Sequence, residues 1–359
     1  MERKKYIWDI FLKPVESLNK YEIETIKEYC DQHSQKEILS KAEEQKMIPF
    51  VSSVLCSLNI YREFWKDYVE YYSNRNKKII RMLDDLFSAF EKNNCISPCV
   101  TENFGSLLST DYHIECFCSG DVDISSDIAE KENINKTLEG MGFTLVKRKE
   151  YKSEIAQDEY KCPNHYLEDF YLNIVYQPVI REKAYTLDQR LVESWLRSQR
   201  LSAVRYHGTM IKVLEKEAML IHCIYHISAG HYYTASPGTK LLVDIDRIIR
   251  FNTIDWGKIW AAGVKLKIEK RLELGLLLTE EVLDTPQIKY GLYMPHGRQK
   301  SFLNKHLYRN VDGTLKEIES TNYMNKLFID VFSDHGNIVT ASFHKAIYAI
   351  FWSIRGKNR

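Results

Sequence analysis

The sequence is poor in residues that interrupt regular structure, with 15 glycines and 8 prolines among 359 residues. This scarcity excludes collagen-like chains and Gly- or Pro-rich low-complexity chains. Charge of one sign is also lacking, because 50 Lys and Arg face 49 Asp and Glu, for a formal net charge of +1. The balance argues against a protein whose main task is to coat nucleic acid or an anionic membrane, although it allows a local basic cleft.

Long apolar runs are missing as well. The nearest candidate, 341–354, is interrupted by His344 and Lys345, and a membrane-spanning helix needs about 18 apolar residues or more. The first residues, Met1-Glu2-Arg3-Lys4-Lys5, are followed by no apolar stretch with a small-residue cleavage site. We therefore expect a cytoplasmic protein without a signal peptide.

The eight cysteines form no Cys-x-x-Cys pair. The spacings Cys95-x3-Cys99 and Cys116-x-Cys118 match no recognisable zinc site. Several cysteines lie in apolar contexts, which is typical of free buried thiols. These features predict neither a disulfide framework nor a structural zinc.

The first 95 residues or so have helical periodicity. Apolar residues recur at three- and four-residue intervals in 21–33, 41–59 and 64–92. The apolar stripe of the last segment is typical of a helix face packed in the core.

Strand-like patterns follow in four short segments, 95–100, 113–118, 142–146 and 170–176, with a helical segment at 127–141. Helical patterns return from residue 187 onward. The strongest are at 213–229, 241–251 and 256–283, followed by a loop at 290–310 and terminal helices at 321–332 and 341–354.

The pattern predicts an α+β fold in which a small mixed β-sheet is embedded between N-terminal and C-terminal helical regions. We expect four parts: an N-terminal helical region at 1–94, an α/β core at 95–186, a helical domain lining the cleft at 187–289, and C-terminal basic loop and helices at 290–359.

The segment Gly120-Asp121-Val122-Asp123-Ile124 is the most informative one for function. Two aspartates at i and i+2 on a strand point to the same face, where they can hold divalent cations through oxygen ligands. Their mutual repulsion would be relieved by Mg²⁺. A solvated turn is the alternative interpretation, because Asp-x-Asp alone is a weak signal.

Gly105-Ser106, upstream, predicts a small-residue turn. Such a turn offers backbone N–H groups and a hydroxyl to phosphate oxygens. Together with Asp121 and Asp123 it predicts a site for a nucleoside triphosphate (NTP) and Mg²⁺, suited to in-line attack by an acceptor oxygen.

Three further groups of residues remain open. His222 and His226 share a helix face, so they either pack with their polar tips toward the cleft or bind zinc together with ligands such as His231 or Asp244. Lys240 could reach a triphosphate near a helix start, and Asp244 could line the cleft or pair with Lys240 or Arg247. The basic stretch 296–309 could bind an acidic substrate or be a solvated loop.

The order of these features resembles the DNA-polymerase-β-type nucleotidyltransferases, and among them the uncharacterised bacterial nucleotidyltransferases found near natural-product and modified-peptide biosynthesis genes. Beyond Gly105-Ser106 and Gly120 to Ile124, the similarity includes the two-histidine segment 220–226, the segments 240–247 and 255–256, and the final helix with its Pro stop at 272–286. It covers roughly residues 22–286.

By position, the resemblance implies that Asp121 and Asp123 bind Mg²⁺ and that Gly105 and Ser106 contact the triphosphate. Three departures stand out. Phe104 replaces a Lys, Phe117 and Cys118 stand where a basic residue is common, and Asn173 and Val175 replace the acid and the His of a Glu-apolar-His strand.

The loss of the third acid bears on catalysis, because Asn173 can ligate a metal but cannot accept a proton. Glu168 or Asp169 would substitute for it if the alignment shifts. The resemblance implies an enzyme, an Mg²⁺-dependent nucleotidyltransferase that moves a nucleoside monophosphate from an NTP to a small-molecule or peptide acceptor and releases pyrophosphate. Neither a membrane nor extended nucleic acid is an expected partner. The alternative is a catalytically degenerate fold that binds a nucleotide or peptide.

Overall fold

The computed structural model describes residues 6–110, 112–117, 119–151, 154–176, 189–199, 201–206, 209–230 and 238–291. The predicted terminal helices and the basic stretch lie outside these ranges. Among the helices that the ranges include, none combines the length and apolar character needed to cross a bilayer.

Helices form the N-terminal region, as the periodicity predicts. Two of them begin with capping boxes, in which Asn19 pairs with Glu22 and Ser34 with Glu37. The predicted helix at 41–59 is wrong in one respect, because two helices cover the segment and meet near Met47. The helices are α1 (Ile7–Leu12), α2 (Lys20–Gln32), α3 (Gln35–Glu44), α4 (Ile48–Ser57) and α5 (Arg62–Lys92).

The described strands form one seven-stranded mixed sheet, in the order β3-β4-β5-β2-β1-β7-β6. The pairs β2–β5 and β1–β7 are parallel, and the other pairs are antiparallel. The strands are β1 (Cys99–Thr101), β2 (Asp121–Ser125), β3 (Thr144–Tyr151), β4 (Glu154–Lys161), β5 (Tyr171–Val175), β6 (Leu201–Tyr206) and β7 (Thr209–Leu214).

The remaining helices connect the strands and follow them. They are α6 (Glu102–Leu108), α7 (Lys131–Gly140), α8 (Gln189–Ser198), α9 (Lys216–Tyr225), α10 (Gly238–Arg250), α11 (Trp256–Leu266) and α12 (Glu269–Leu283). A π-helical turn, His226–Gly230, continues α9. The α+β class is therefore confirmed.

Further sequence-based assignments differ from the structure. The predicted helix at 256–283 consists of two helices, α11 and α12. The segment 113–118 contains a 3-10 turn, Ile114–Cys116, rather than a strand. Gly105 and Ser106 lie inside α6 rather than in an open turn. The hairpin of β6 and β7 was predicted as helix, and it extends the sheet beyond residue 186, where we expected the core to end.

Candidate functional site

The segment that precedes β2 is fixed by helix α5. The Asn76 side-chain amide donates hydrogen bonds to the carbonyl oxygens of Ile114 at 2.7 Å and Phe117 at 2.8 Å. The neighbouring Arg75 donates to the carbonyl oxygen of Ser119 at 2.6 Å. Helix α5 thus sets the position at which β2 begins.

Strand β2 places Asp121 and Asp123 on the same face, as their spacing predicts. Both residues are partly buried, whereas Val122 between them is buried on the other face. The parallel register with β5 sets Asp123 directly beside Asn173. The assignment of Asn173 to the position of a third acid stays a prediction.

Asn173 links the two aspartates. Its amide nitrogen donates to Oδ2 of Asp121 at 2.9 Å and to Oδ1 of Asp123 at 3.1 Å. Its carbonyl oxygen Oδ1 is buried and has no hydrogen-bond partner among the described residues. A buried oxygen without a partner costs free energy, so the site offers an unused ligand atom next to two carboxylates.

A third carboxylate, which sequence reasoning missed, belongs to Glu102 at the junction of β1 and α6. One of its oxygens lies 3.0 Å from Nδ1 of His226 and 3.3 Å from Nε2 of His222. His222 lies within ion-pair distance of Glu102 but makes no hydrogen bond to it. Neither ring nitrogen of His222 has a hydrogen-bond partner among the described residues. The histidine pair that sequence reasoning considered for zinc thus faces a carboxylate.

Acidic side chains outnumber their cationic partners in the region around Asp123. Burial, then repulsion from Glu102 and then repulsion from Asp121 raise the pKa of Asp123 well above its ordinary value. Burial alone would raise the pKa of Glu102, but attraction to His226 and to His222 holds it well below its usual range. The result is an excess of negative charge around Asp123.

His226 supplies part of the compensating charge. Burial would lower its pKa, but attraction to Glu102, to Asp123 and to Asp244 outweighs burial and raises it. Three acidic side chains from different elements therefore act on one imidazole, which shows how closely the acids gather here.

Ser106 and Asp244 are brought together, although not on an open surface. The Ser106 hydroxyl is buried and donates to Oδ1 of Asp244 at 2.6 Å, and it also lies 2.8 Å from the carbonyl oxygen of Asn103. This bond joins α6 to α10 at the edge of the acidic cluster. The predicted triphosphate contact of Ser106 stays a prediction.

Gly105 has a packing role that is visible in the structure. A Cβ atom there would lie 2.5 Å from Cε of Met219 and 2.9 Å from the carbonyl oxygen of Val100. The second neighbour is backbone and cannot move easily, so only glycine lets α6 approach β1 and α9 this closely. Its predicted contact with phosphate also stays a prediction.

The other expected residues have mixed outcomes. Lys240 lies in the first turn of α10, but its side chain lies outside the described residues, as does His231. Phe104 is buried in the core against Phe117. Asp169 is exposed and pairs with Lys161 at 3.3 Å, so it does not replace Asn173.

Two carboxylates and one amide oxygen form the donor set here. Within the described ranges, no group of three or more His, Cys, Asp or Glu side chains could hold a metal ion. Mg²⁺, however, is commonly held by one or two carboxylates together with water and substrate phosphates. Asp121 and Asp123, with the unpaired oxygen of Asn173, supply such ligands, and a cation would offset the repulsion that raises the pKa of Asp123.

One signal could have pointed to Glu102. It is an acid that directly follows the short strand before Gly105-Ser106, and it lies three residues ahead of the predicted phosphate turn. An acid in that position is unexpected beside a triphosphate, and this anomaly was visible in the sequence. Its histidine partners, more than a hundred residues away, were not.

Three comparisons with known proteins were made. A search of the solved structures finds an antigenic nucleotidyltransferase-like protein from Paracoccidioides brasiliensis, with 13% sequence identity and a TM-score of 0.37. The match covers 57% of this chain and 88% of the other. The comparison with curated proteins finds no match. The family model described as "Uncharacterised nucleotidyltransferase" matches residues 31–284, which is well over half of the sequence. The chain therefore belongs to this uncharacterised nucleotidyltransferase family.

Proposed function

We propose that the protein is an Mg²⁺-dependent nucleotidyltransferase that moves a nucleoside monophosphate from an NTP to a small-molecule or biosynthetic-peptide acceptor and releases pyrophosphate. The observation that carries the proposal is the pairing of Asp121 and Asp123 on one face of β2, where burial and then repulsion from neighbouring acids raise the pKa of Asp123. Such a pair is suited to holding a cation that is itself bound to phosphates.

The chain's own residues have distinct tasks in this proposal. Asp121 and Asp123 hold the cation, and Asn173 orients both carboxylates through its amide. When bound, Mg²⁺ neutralises triphosphate charge and favours loss of pyrophosphate. We assign Gly105 and Ser106 of α6 to the triphosphate, and we expect the acceptor to enter near Lys240 and Asp244 of α10.

The transfer itself is a substitution at the α-phosphorus. An acceptor oxygen or nitrogen forms a new bond to phosphorus, while the bond to the bridging oxygen breaks and pyrophosphate leaves with that electron pair. The proton of the acceptor must go to a base. Asn173 cannot take it, which is the main chemical objection to full activity.

A degenerate, binding-only role is the second candidate, and Asn173 is the observation that favours it. Its amide already satisfies both aspartates with hydrogen bonds, and Phe104 is buried where relatives of this type are expected to have a lysine. In this version the protein binds a nucleotide or a peptide without turnover. We place either version in the cytoplasm, and the acceptor and the base preference stay open.

Calorimetry with ATP, GTP, CTP and UTP, each with and without Mg²⁺, tests the proposal. We expect one nucleotide to bind in an Mg²⁺-dependent way to the wild type, and the double variant Asp121→Asn, Asp123→Asn to lose that binding. Asp127→Asn is the matched control, because Asp127 is exposed and lies just past the end of β2. Folded wild type that binds none of the four nucleotides would contradict the proposal, and binding without turnover would favour the degenerate role.

A further inference from the structure

Arg75, in the middle of helix α5, is a cationic residue that the proposed function does not yet use. Its Nη2 donates to the carbonyl oxygen of Ser119 at 2.6 Å. The hydroxyl of Ser119 in turn donates to Oδ1 of Asp121 at 3.2 Å. A single residue, Ser119, therefore connects the guanidinium of Arg75 to one of the two aspartates of β2.

The positive charge of Arg75 has no acidic partner in the part of the chain that the structure describes. There the guanidinium makes one hydrogen bond, to Ser119, and its Nη1 is buried without a partner. Its central carbon lies 5.3 Å from the centre of the Phe170 ring. Arginine has five N–H donors, so most of the hydrogen-bonding capacity of this half-buried side chain is unused. An arginine in this state is suited to an anion that a ligand brings.

Helix α6, to which we assign a triphosphate contact, brings no cationic side chain of its own. Its sequence, Glu102 to Leu108, contains no Lys or Arg, and Phe104 replaces the lysine that the resemblance implies. The Ser106 hydroxyl is already bonded to Asp244. A triphosphate carries several negative charges, and proteins commonly bind phosphates with Arg or Lys. A cationic side chain for the phosphates must therefore come from another element.

Open space lies beside the Ser119 backbone. Gly120 is exposed, and a Cβ atom there would lie more than 4 Å from every described atom outside its chain neighbours. The chain is thus open directly before Asp121. Asn103 of α6 also reaches this point, because its amide donates to the Ser119 hydroxyl at 3.4 Å. The Ser119–Gly120 backbone is therefore bordered by Arg75 on one side and by α6 on the other.

We propose that Arg75 is the side chain that binds the phosphates of the NTP, beside the open backbone of Ser119 and Gly120, and that it replaces the lysine missing at Phe104. The inference rests on the proposed function, because it assigns a substrate contact to the same site. Arg75 keeps its bond to Ser119 through Nη2 and offers its remaining N–H groups to phosphate oxygens. It recognises the phosphates and takes no part in binding the base or the ribose.

Calorimetry with inorganic tripolyphosphate and Mg²⁺ tests this assignment, because the probe has the charge of an NTP but neither base nor ribose. We expect Arg75→Gln to raise the Kd for tripolyphosphate by about tenfold or more, the factor that corresponds to losing one hydrogen bond between charged groups. The Kd for the NTP that the wild type binds should rise by a similar factor. Arg75→Lys keeps the charge and should recover part of both affinities.

Arg81→Gln is the matched control. Arg81 is an exposed arginine of the same helix, six residues after Arg75, so that its side chain leaves the helix on a different face. The substitution removes the same charge, and the Kd for both ligands should equal that of the wild type. A rise as large as that in Arg75→Gln would mean that the net charge of the protein sets the affinity, which overturns the assignment.

The remaining outcomes separate the inference from the proposed function. Unchanged binding of both ligands by Arg75→Gln, while Asp121→Asn with Asp123→Asn loses NTP binding, overturns the role of Arg75 and leaves the proposed function intact. Affinities in Arg75→Lys as low as those in Arg75→Gln would assign Arg75 a structural role through Ser119, which also overturns the inference. A wild type that binds an NTP but no tripolyphosphate overturns it as well. A wild type that binds none of the four NTPs overturns both proposals.

A second measurement covers the case in which Arg75→Gln does not fold. Crystals of the wild type grown with tripolyphosphate and Mg²⁺ should show a phosphate oxygen about 2.7–2.9 Å from a guanidinium nitrogen of Arg75, the usual length of such a bond. Phosphates bound by α6 alone, with Arg75 still bonded only to Ser119, would overturn the inference without any variant.

Discussion

Asp123 and Asp158 belong to the same sheet, but the charged groups around them have opposite signs. Asp158 on β4 is fully buried, and Arg148 on β3 donates to its two oxygens at 2.6 and 2.9 Å. Asp123 on β2 is only partly buried and is repelled by Glu102 and Asp121. A carboxylate that is paired with a cationic side chain of the same protein has its charge neutralised within the fold. A carboxylate that is surrounded by further carboxylates is instead suited to bind a cation that the protein itself does not supply.

The largest effect should follow from breaking the matched pair. Asp158→Asn removes the charge that faces the Arg148 fork, and we expect the free energy of unfolding to fall by about 3 kcal/mol, as for other buried pairs that lose one partner. Urea denaturation measures this loss, with Asp127→Asn as an exposed control expected within about 0.5 kcal/mol of the wild type. A loss in Asp158→Asn as small as that of the control would remove the contrast between the two aspartates.

Ligand-induced stabilisation should separate the two aspartates in the opposite way. At a free concentration one hundred times the Kd, the nucleotide with Mg²⁺ should stabilise the wild type by about 2.7 kcal/mol. Asp158→Asn should keep this increment although it starts from a lower stability, and Asp123→Asn should lose most of it. Thermal unfolding with and without the nucleotide and Mg²⁺ checks both. Equal increments in all three proteins would place the ligand away from Asp123.

The contrast between these aspartates also explains what sequence alone could predict. The stripe of α5 and the pair Asp121 and Asp123 were visible because each depends on local periodicity. Strand β4 was missed because Ala156, Asp158 and Tyr160 share its buried face, and an acid there disguises the apolar alternation. The buried Asp158 is tolerated because Arg148, on the neighbouring strand β3, donates hydrogen bonds to it.

Glu102 was missed for a different reason. Its meaning depends on α6 packing against α9, which brings His222 and His226 to a carboxylate more than a hundred residues earlier in the sequence. Likewise, sequence alone did not indicate the packing role of Gly105, where Met219 and the Val100 carbonyl approach closely, and its predicted contact with phosphate stays a prediction. Contacts of this range have no signature in spacing or composition.

Removing charge from Asp123 should have the opposite effect on stability from the change at Asp158. Asp123→Asn relieves the repulsion from Glu102 and Asp121. We expect the unfolding temperature at pH 7 without ligand to rise by about 1 °C, the scale of a change of about 1 kcal/mol in a protein of 359 residues. Differential scanning calorimetry measures the shift. A decrease comparable to that of Asp158→Asn would show that Asp123 is a structural carboxylate after all.

The smallest effect concerns pH, and it follows from the direction of the Asp123 pKa shift. Because the pKa is raised in the folded protein, the folded state binds the proton more tightly than the unfolded state does. The charged form therefore costs stability as pH rises from about 4, the ordinary pKa of an aspartate, through the higher folded value. Below pH 4 both states are protonated and the cost disappears.

The stability advantage of Asp123→Asn over the wild type should accordingly be absent near pH 4, grow as pH rises and become constant above the folded pKa. Denaturation midpoints of both proteins across this range test the sign, and an advantage that grows toward acid pH instead would mean that the surroundings of Asp123 stabilise its charge.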